Sequence, residues 1–217
     1  MFCPHDYPGT QFHNGAELDR DRDLHSPVPW YDPGVKLLLT LLALLVQQND
    51  RPVILAVGDS MTAGFGVAVE EAYPAQLEKE LERRGFHYRV VNQGVTGSTT
   101  AQALSNFSRG LALSPEIVII QLGGNDVAAG IPSAVSRENI RTMIQRLKPG
   151  HARVFLAGGR FPVLDELAKA EDVTLIPFLR EVEGHPDLMI ADGRHPNAAG
   201  YAIVVRNILE VLQPKLR

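Results

Sequence analysis

The 217-residue chain is 45% hydrophobic and 6% aromatic, ordinary values for one folded unit with a sizeable core. Its formal charge of -4 offers no basic field, and no Lys/Arg cluster interleaves with aromatics, so nucleic acid is excluded as an expected partner. The single cysteine, Cys3, rules out an intramolecular disulfide and a multi-cysteine metal site.

Residues 1–34 are rich in Pro, Gly, His and Asp, carry the charged run Asp19 to Asp23, and lack apolar periodicity; they are expected to be a disordered tail. Lys36 then precedes a ten-residue apolar run, Leu37 to Val46, too short to span a bilayer and suited to the apolar region of an export signal. A signal does not carry a long, partly acidic leader. The run therefore implies translation from position 35, with Val35 read from an alternative start codon, and export to the periplasm or beyond. The competing reading is an apolar helix that packs on the domain or touches a membrane surface peripherally. Residues 35–50 are thus assigned as a signal-like segment and 51–217 as the main folded domain.

From Pro52 onward, apolar runs at 53–57, 88–91, 116–122, 152–157 and 173–178 read as strands without the polar alternation of a half-exposed sheet. Helical stripes lie between and after them: Leu104, Phe107 and Leu111; Ile140, Met143, Ile144 and Leu147; Tyr201, Val204, Ile208 and Leu212. Such alternation predicts a five-stranded parallel sheet with helices on both faces, an α/β three-layer sandwich. Ligands of these sheets bind beyond the C-terminal strand ends, so the loops there are the candidates for chemistry.

The first strand runs into Gly58-Asp59-Ser60, where a tight turn can expose the Ser60 hydroxyl. The second ends in a loop bearing Gly94 and Gly97, either of which can offer a backbone N–H close to a ligand because glycine has no Cβ. The third ends in Gly123-Gly124-Asn125-Asp126, which supplies a side-chain amide at the same sheet edge. Before the last helix, Asp192 and His195 stand three residues apart on one turn, with Asn197 positioned to cap the helix. A serine hydroxyl needs a base to take its proton, and the base needs a carboxylate to orient it, so Ser60, His195 and Asp192 form a candidate triad. The Ser60 N–H, Gly97 N–H and Asn125 amide are candidate donors to an oxyanion. Asp59 and Asp126 read as turn and network residues. His87, His151 and His185 lack the spacing of metal ligands, and neither metal nor cofactor is expected.

The four stations GDSM, NQGVTGST, GGND and DGRHPN, in this order and spacing, resemble the GDSL/SGNH hydrolase superfamily, over about Pro52 to Leu216 and nearest its bacterial arylesterase, thioesterase and lysophospholipase I branch. The resemblance implies the flavodoxin-like SGNH hydrolase fold and a serine esterase that cleaves carboxylic ester or thioester bonds of small acyl or lipid-like substrates. It assigns Ser60 as nucleophile, His195 with Asp192 as its partners, and Gly97 and Asn125 with the Ser60 N–H as oxyanion hole. Gly97 is preferred to Gly94 because relatives carry their loop glycine five residues after the Asn that ends the strand, as Gly97 follows Asn92. Met61 replaces the usual Leu, a swap of similar volume. After Pro162 the chain lacks an Asn-Tyr-Gly-containing segment that lines the acyl pocket of relatives, which bears on substrate length. Two alternatives stay open at this point: a carbohydrate O-acetylesterase on the same scaffold, and a catalytically impaired binding protein.

Overall fold

The computed structural model describes residues 32–49, 51–158 and 162–217. The tail expected over 1–34 therefore lies largely outside the described residues. Backbone contacts divide the chain into Met1–Gln48 and Asn49–Arg217.

In the first unit, α1 (Pro33–Asn49) contains the apolar run. It starts at Pro33, directly after Asp32, which caps it. The Asp32 carboxylate accepts the Gly34 N–H at 2.6 Å, and proline's fixed φ suits the first helical position. Its leucines are exposed from Leu37 to Leu42. No described helix is long and apolar enough to cross a membrane.

In the second unit, five strands form one parallel sheet: β1 (Val53–Gly58), β2 (Arg89–Gly94), β3 (Ile117–Gln121), β4 (Arg153–Gly158) and β5 (Thr174–Pro177). Their spatial order is β2-β1-β3-β4-β5, and every neighbouring pair is parallel. Every residue of β1 and β3 is buried, which explains why these runs are continuously apolar.

Because successive strand side chains point to opposite faces, the sheet sorts its residues into two cores. Ile54, Ala56, Ile117 and Ile119 pack with Leu77, Leu81, Tyr201, Val204 and Ile208. Those partners come from α3 (Tyr73–Arg83) and α8 (Ala198–Leu212). Leu55, Val57, Val118 and Ile120 pack on the other face with Phe107, Ile140, Met143 and Leu164. These belong to α4 (Thr100–Leu111), α6 (Ser133–Leu147) and α7 (Pro162–Ala170). Two short helices complete the unit at the strand ends, α2 (Ser60–Ala63) and α5 (Gly124–Ala128).

The expected stripes on α6 and α8 are buried throughout. On α4 the stripe is rotated: Thr100, Ala103, Phe107 and Gly110 are buried, while Leu104 and Leu111 only flank the core. Small residues there let the helix lie close on the sheet, and a hydropathy pattern weights leucine above them. Helix α3 carries its own stripe at Tyr73, Leu77 and Leu81 but opens on Tyr73-Pro74 among many charges, so periodicity alone did not single it out.

Candidate active site

Ser60 opens α2 directly after β1, and the turn beneath it is fixed from several sides. The Asp59 carboxylate caps α2 by accepting the Met61 N–H at 3.1 Å. Tyr201 on α8 donates its buried hydroxyl to the Met61 carbonyl at 2.9 Å. Thr62 donates to the Gln121 side chain at 3.2 Å, which ties the turn to the end of β3. Gly94 at the end of β2 lies against the turn so closely that an added Cβ would sit 2.3 Å from the Ala63 nitrogen. Tyr201 reads in the sequence only as part of an apolar helical stripe, and nothing but fold topology connects it, Thr62 or Gln121 to Ser60.

Asp192 and His195 lie on the turn before α8. His195 Nε2 is 2.7 Å from Ser60 Oγ, and Nδ1 is 2.5 Å from Asp192 Oδ2. The other carboxylate oxygen accepts the Arg194 and His195 backbone N–H groups at 2.8 and 3.0 Å. Burial pushes the Asp192 carboxyl up, but these two N–H groups and the His195 ring outweigh it and hold it at about 2. An ionised carboxylate at Nδ1 selects the imidazole tautomer protonated there, which leaves Nε2 free to accept the serine proton. Asn197 caps α8 by accepting the Gly200 N–H at 3.0 Å, and its amide donates to the Asp187 carbonyl at 2.8 Å, so the turn has a stiff C-terminal support. The Phe65 ring lies 5.0 Å from the His195 ring, an aromatic contact absent from the sequence argument.

The three candidate donors sit on loops leaving the same sheet edge. Among the described residues, neither the Ser60 nor the Gly97 backbone N–H has a partner, whereas the Gly94 N–H is taken by the Asn92 side chain at 2.9 Å. Gly97 adopts φ +78°, a left-handed conformation that costs a side-chain-bearing residue energy. The Asn125 amide donates to the Ser98 carbonyl at 3.0 Å and faces Asp59 Oδ2 at 3.5 Å. One amide hydrogen thus anchors Asn125 to the Gly97 loop, and the other is held only weakly.

Asp59 is 4% exposed. Burial raises its carboxyl to about 6, against the opposing pull of the Met61 N–H and of positive charge on His195. A cleft of about 480 Å³ opens over Ser60, His195 and Asn125, with Val127, Ala128 and Arg194 on its walls. Among the described residues no group of three His, Cys, Asp or Glu side chains is placed to hold a metal ion.

The chain as a whole is similar to known proteins. Residues 56–203 match the model of the GDSL-like Lipase/Acylhydrolase family. Esterase TesA of Pseudomonas aeruginosa is 35% identical over 190 residues, covering 81% of this chain and 94% of that protein. Thioesterase 1/protease 1/lysophospholipase L1 of Escherichia coli is 30% identical over 200 residues, covering 85% and 93%. A crystal structure of TesA superposes with a TM-score of 0.70 at 33% identity, over 76% of this chain and 99% of that one.

Proposed function

The chain belongs to the GDSL-like lipase/acylhydrolase family, and on that premise we propose that Ser60 is the nucleophile of a serine hydrolase cleaving ester or thioester bonds, with His195 as base and Asp192 as its orienting carboxylate. The observation that carries the reading is the continuous Ser60-His195-Asp192 contact at 2.7 and 2.5 Å, at the mouth of the cleft that also presents Asn125.

Ser60 Oγ attacks the acyl carbonyl carbon while its proton passes to His195 Nε2, and Asp192 stabilises the resulting imidazolium. The carbonyl electron pair moves onto oxygen, where the Ser60 and Gly97 N–H groups and the Asn125 amide receive it. The intermediate collapses as His195 gives its proton to the departing alcohol or thiol, leaving acyl-Ser60. Water then repeats the sequence: His195 takes its proton, the hydroxide adds to the acyl carbon, and Ser60 Oγ leaves with the proton returned. The carboxylic acid is released.

Fluorophosphonate labelling tests the assignment. Wild-type protein should take up the label with loss of esterase activity, and Ser60→Ala should not. Labelling that persists in the variant would overturn it. The substrate is a small acyl ester or lipid-like ester. The exposed Val127 side chain forms an open wall of the cleft, where a long acyl chain would gain little enclosed apolar contact, which supports short acyl groups over long ones. Across p-nitrophenyl esters, turnover is expected to decline from butyrate to palmitate.

Export is part of the same proposal. The exposed leucines Leu37 to Leu42 of α1 support an export signal at Leu37 to Val46, with peripheral membrane contact as their alternative role. N-terminal sequencing of natively produced protein should find a chain beginning after Val46. Peptides from residues 1–34 would refute it.

A further inference from the structure

Besides the Ser60 N–H, the oxyanion hole proposed above takes donors from two further loops, and the further inference rests on that reading. Gly97 lies after β2 and Asn125 after β3. To act on one oxygen, their N–H groups must converge to within a fraction of an ångström, since a misplacement of about 1 Å can cost on the order of a hundredfold in rate.

One buried carboxylate ties these loops together. Asp126, next to Asn125 and 1% exposed, accepts the Thr100 backbone N–H at 2.9 Å on Oδ2. Its Oδ1 accepts the Thr100 hydroxyl at 2.5 Å and the Ser136 hydroxyl at 2.9 Å. Asn139 donates to the same Thr100 hydroxyl oxygen at 3.0 Å, so its proton is directed at Asp126. Thr100 is the first residue of α4, three residues after Gly97, and its N–H belongs to the set that has no partner within the helix at a helix start, so Asp126 supplies the acceptor. Burying a carboxylate among α4, α5 and α6 is costly unless it is fully hydrogen-bonded, and an apolar residue could fill the volume. Its hydrogen bonds do something packing does not: they tie the start of α4 to the residue that follows Asn125.

We propose that Asp126 is a positioning residue that holds the Gly97 and Asn125 loops in register, acting through the oxyanion donors without touching substrate. Asp126→Asn keeps the shape, but one oxygen becomes an NH₂ group. With that group in the Oδ2 position it opposes the Thr100 N–H; in the Oδ1 position it leaves the Thr100 and Ser136 hydroxyl protons without their acceptor, so either orientation loosens the clamp. Thr100→Val removes the hydroxyl arm of the same clamp from the other side and reads out the proposal if Asp126→Asn does not fold.

The test is steady-state hydrolysis of p-nitrophenyl butyrate by both variants, each in the wild-type and the Asn125→Ala background, with inhibition by a boronic acid whose tetrahedral adduct places an oxygen in the hole. Each variant alone should lower kcat by about 10- to 100-fold with KM within about twofold, and should weaken boronate binding in parallel. In the Asn125→Ala background the further loss should shrink to less than about threefold, because of the two donors that the clamp aligns only Gly97 is left to be misplaced. Equal losses in both backgrounds, an unchanged kcat, or a loss confined to KM would overturn the clamp while leaving the site assignment intact. A wild-type kcat in Asn125→Ala itself would overturn the site assignment and the clamp with it.

Discussion

Asp59 sits where its charge is disfavoured, and Asp59→Asn exposes that cost as a function of pH. Burial raises its carboxyl from 3.8 to about 6. Below 3.8, native and unfolded chains both hold the proton and Asp59 contributes no difference. Between 3.8 and 6 the unfolded chain releases it while the native state keeps it, so stability falls as pH rises through this window. Above 6 the full penalty is present: roughly 2 pH units at about 1.4 kcal/mol each, or about 3 kcal/mol. Asparagine has no charge to bury. Relative to wild type, Asp59→Asn should therefore gain stability between pH 4 and pH 7.5 by about 3 kcal/mol, a differential Tm shift of roughly 6–12 °C for a domain of this size. Thermal unfolding of both proteins across that range measures it. Any pH-independent cost of the substitution cancels in the comparison. A Tm difference that stays constant from pH 4 to 7.5 would refute the reasoning. Activity should move the other way. If the new side chain keeps its oxygen on the Met61 N–H, its NH₂ group faces the Asn125 amide where Asp59 Oδ2 stands 3.5 Å away, and kcat should drop at least about tenfold as Asn125 is displaced.

Ser60→Ala and His195→Ala should each cut kcat by on the order of 10⁴ to 10⁶ with the unfolding midpoint nearly unchanged, measured by ester hydrolysis and denaturant titration. Asn125→Ala should lower kcat by about 10² to 10³, and a smaller effect in steady-state assays would remove it from the hole. Gly94→Ala drives a methyl into the backbone at Ala63; a stability loss of about 1–3 kcal/mol with reduced turnover is expected, and a wild-type urea midpoint would contradict it. Tyr201→Phe leaves the buried Met61 carbonyl without its donor, which should cost about 1–3 kcal/mol by the same titration.

The sequence by itself determined the layers of the domain and the identity of its chemical groups. Strands β1 and β3 are buried on both faces, so their residues had to be apolar without interruption, and the runs at 53–57 and 116–122 were legible for that reason. Gly-Asp-Ser, Gly-Gly-Asn-Asp and Asp-Gly-Arg-His were legible because reactive groups at strand ends come in short local patterns. The distances were not local. Only the tertiary structure brought His195 to 2.7 Å from Ser60, engaged the Gly94 N–H while leaving that of Gly97 free, and set Tyr201 beneath Met61. The same is true of Asp59 and Asp126, each a plausible turn residue in a linear reading. What makes one an energetic burden and the other a clamp is burial and partners drawn from other elements. Those depend on how the chain packs, and no window of sequence contains them.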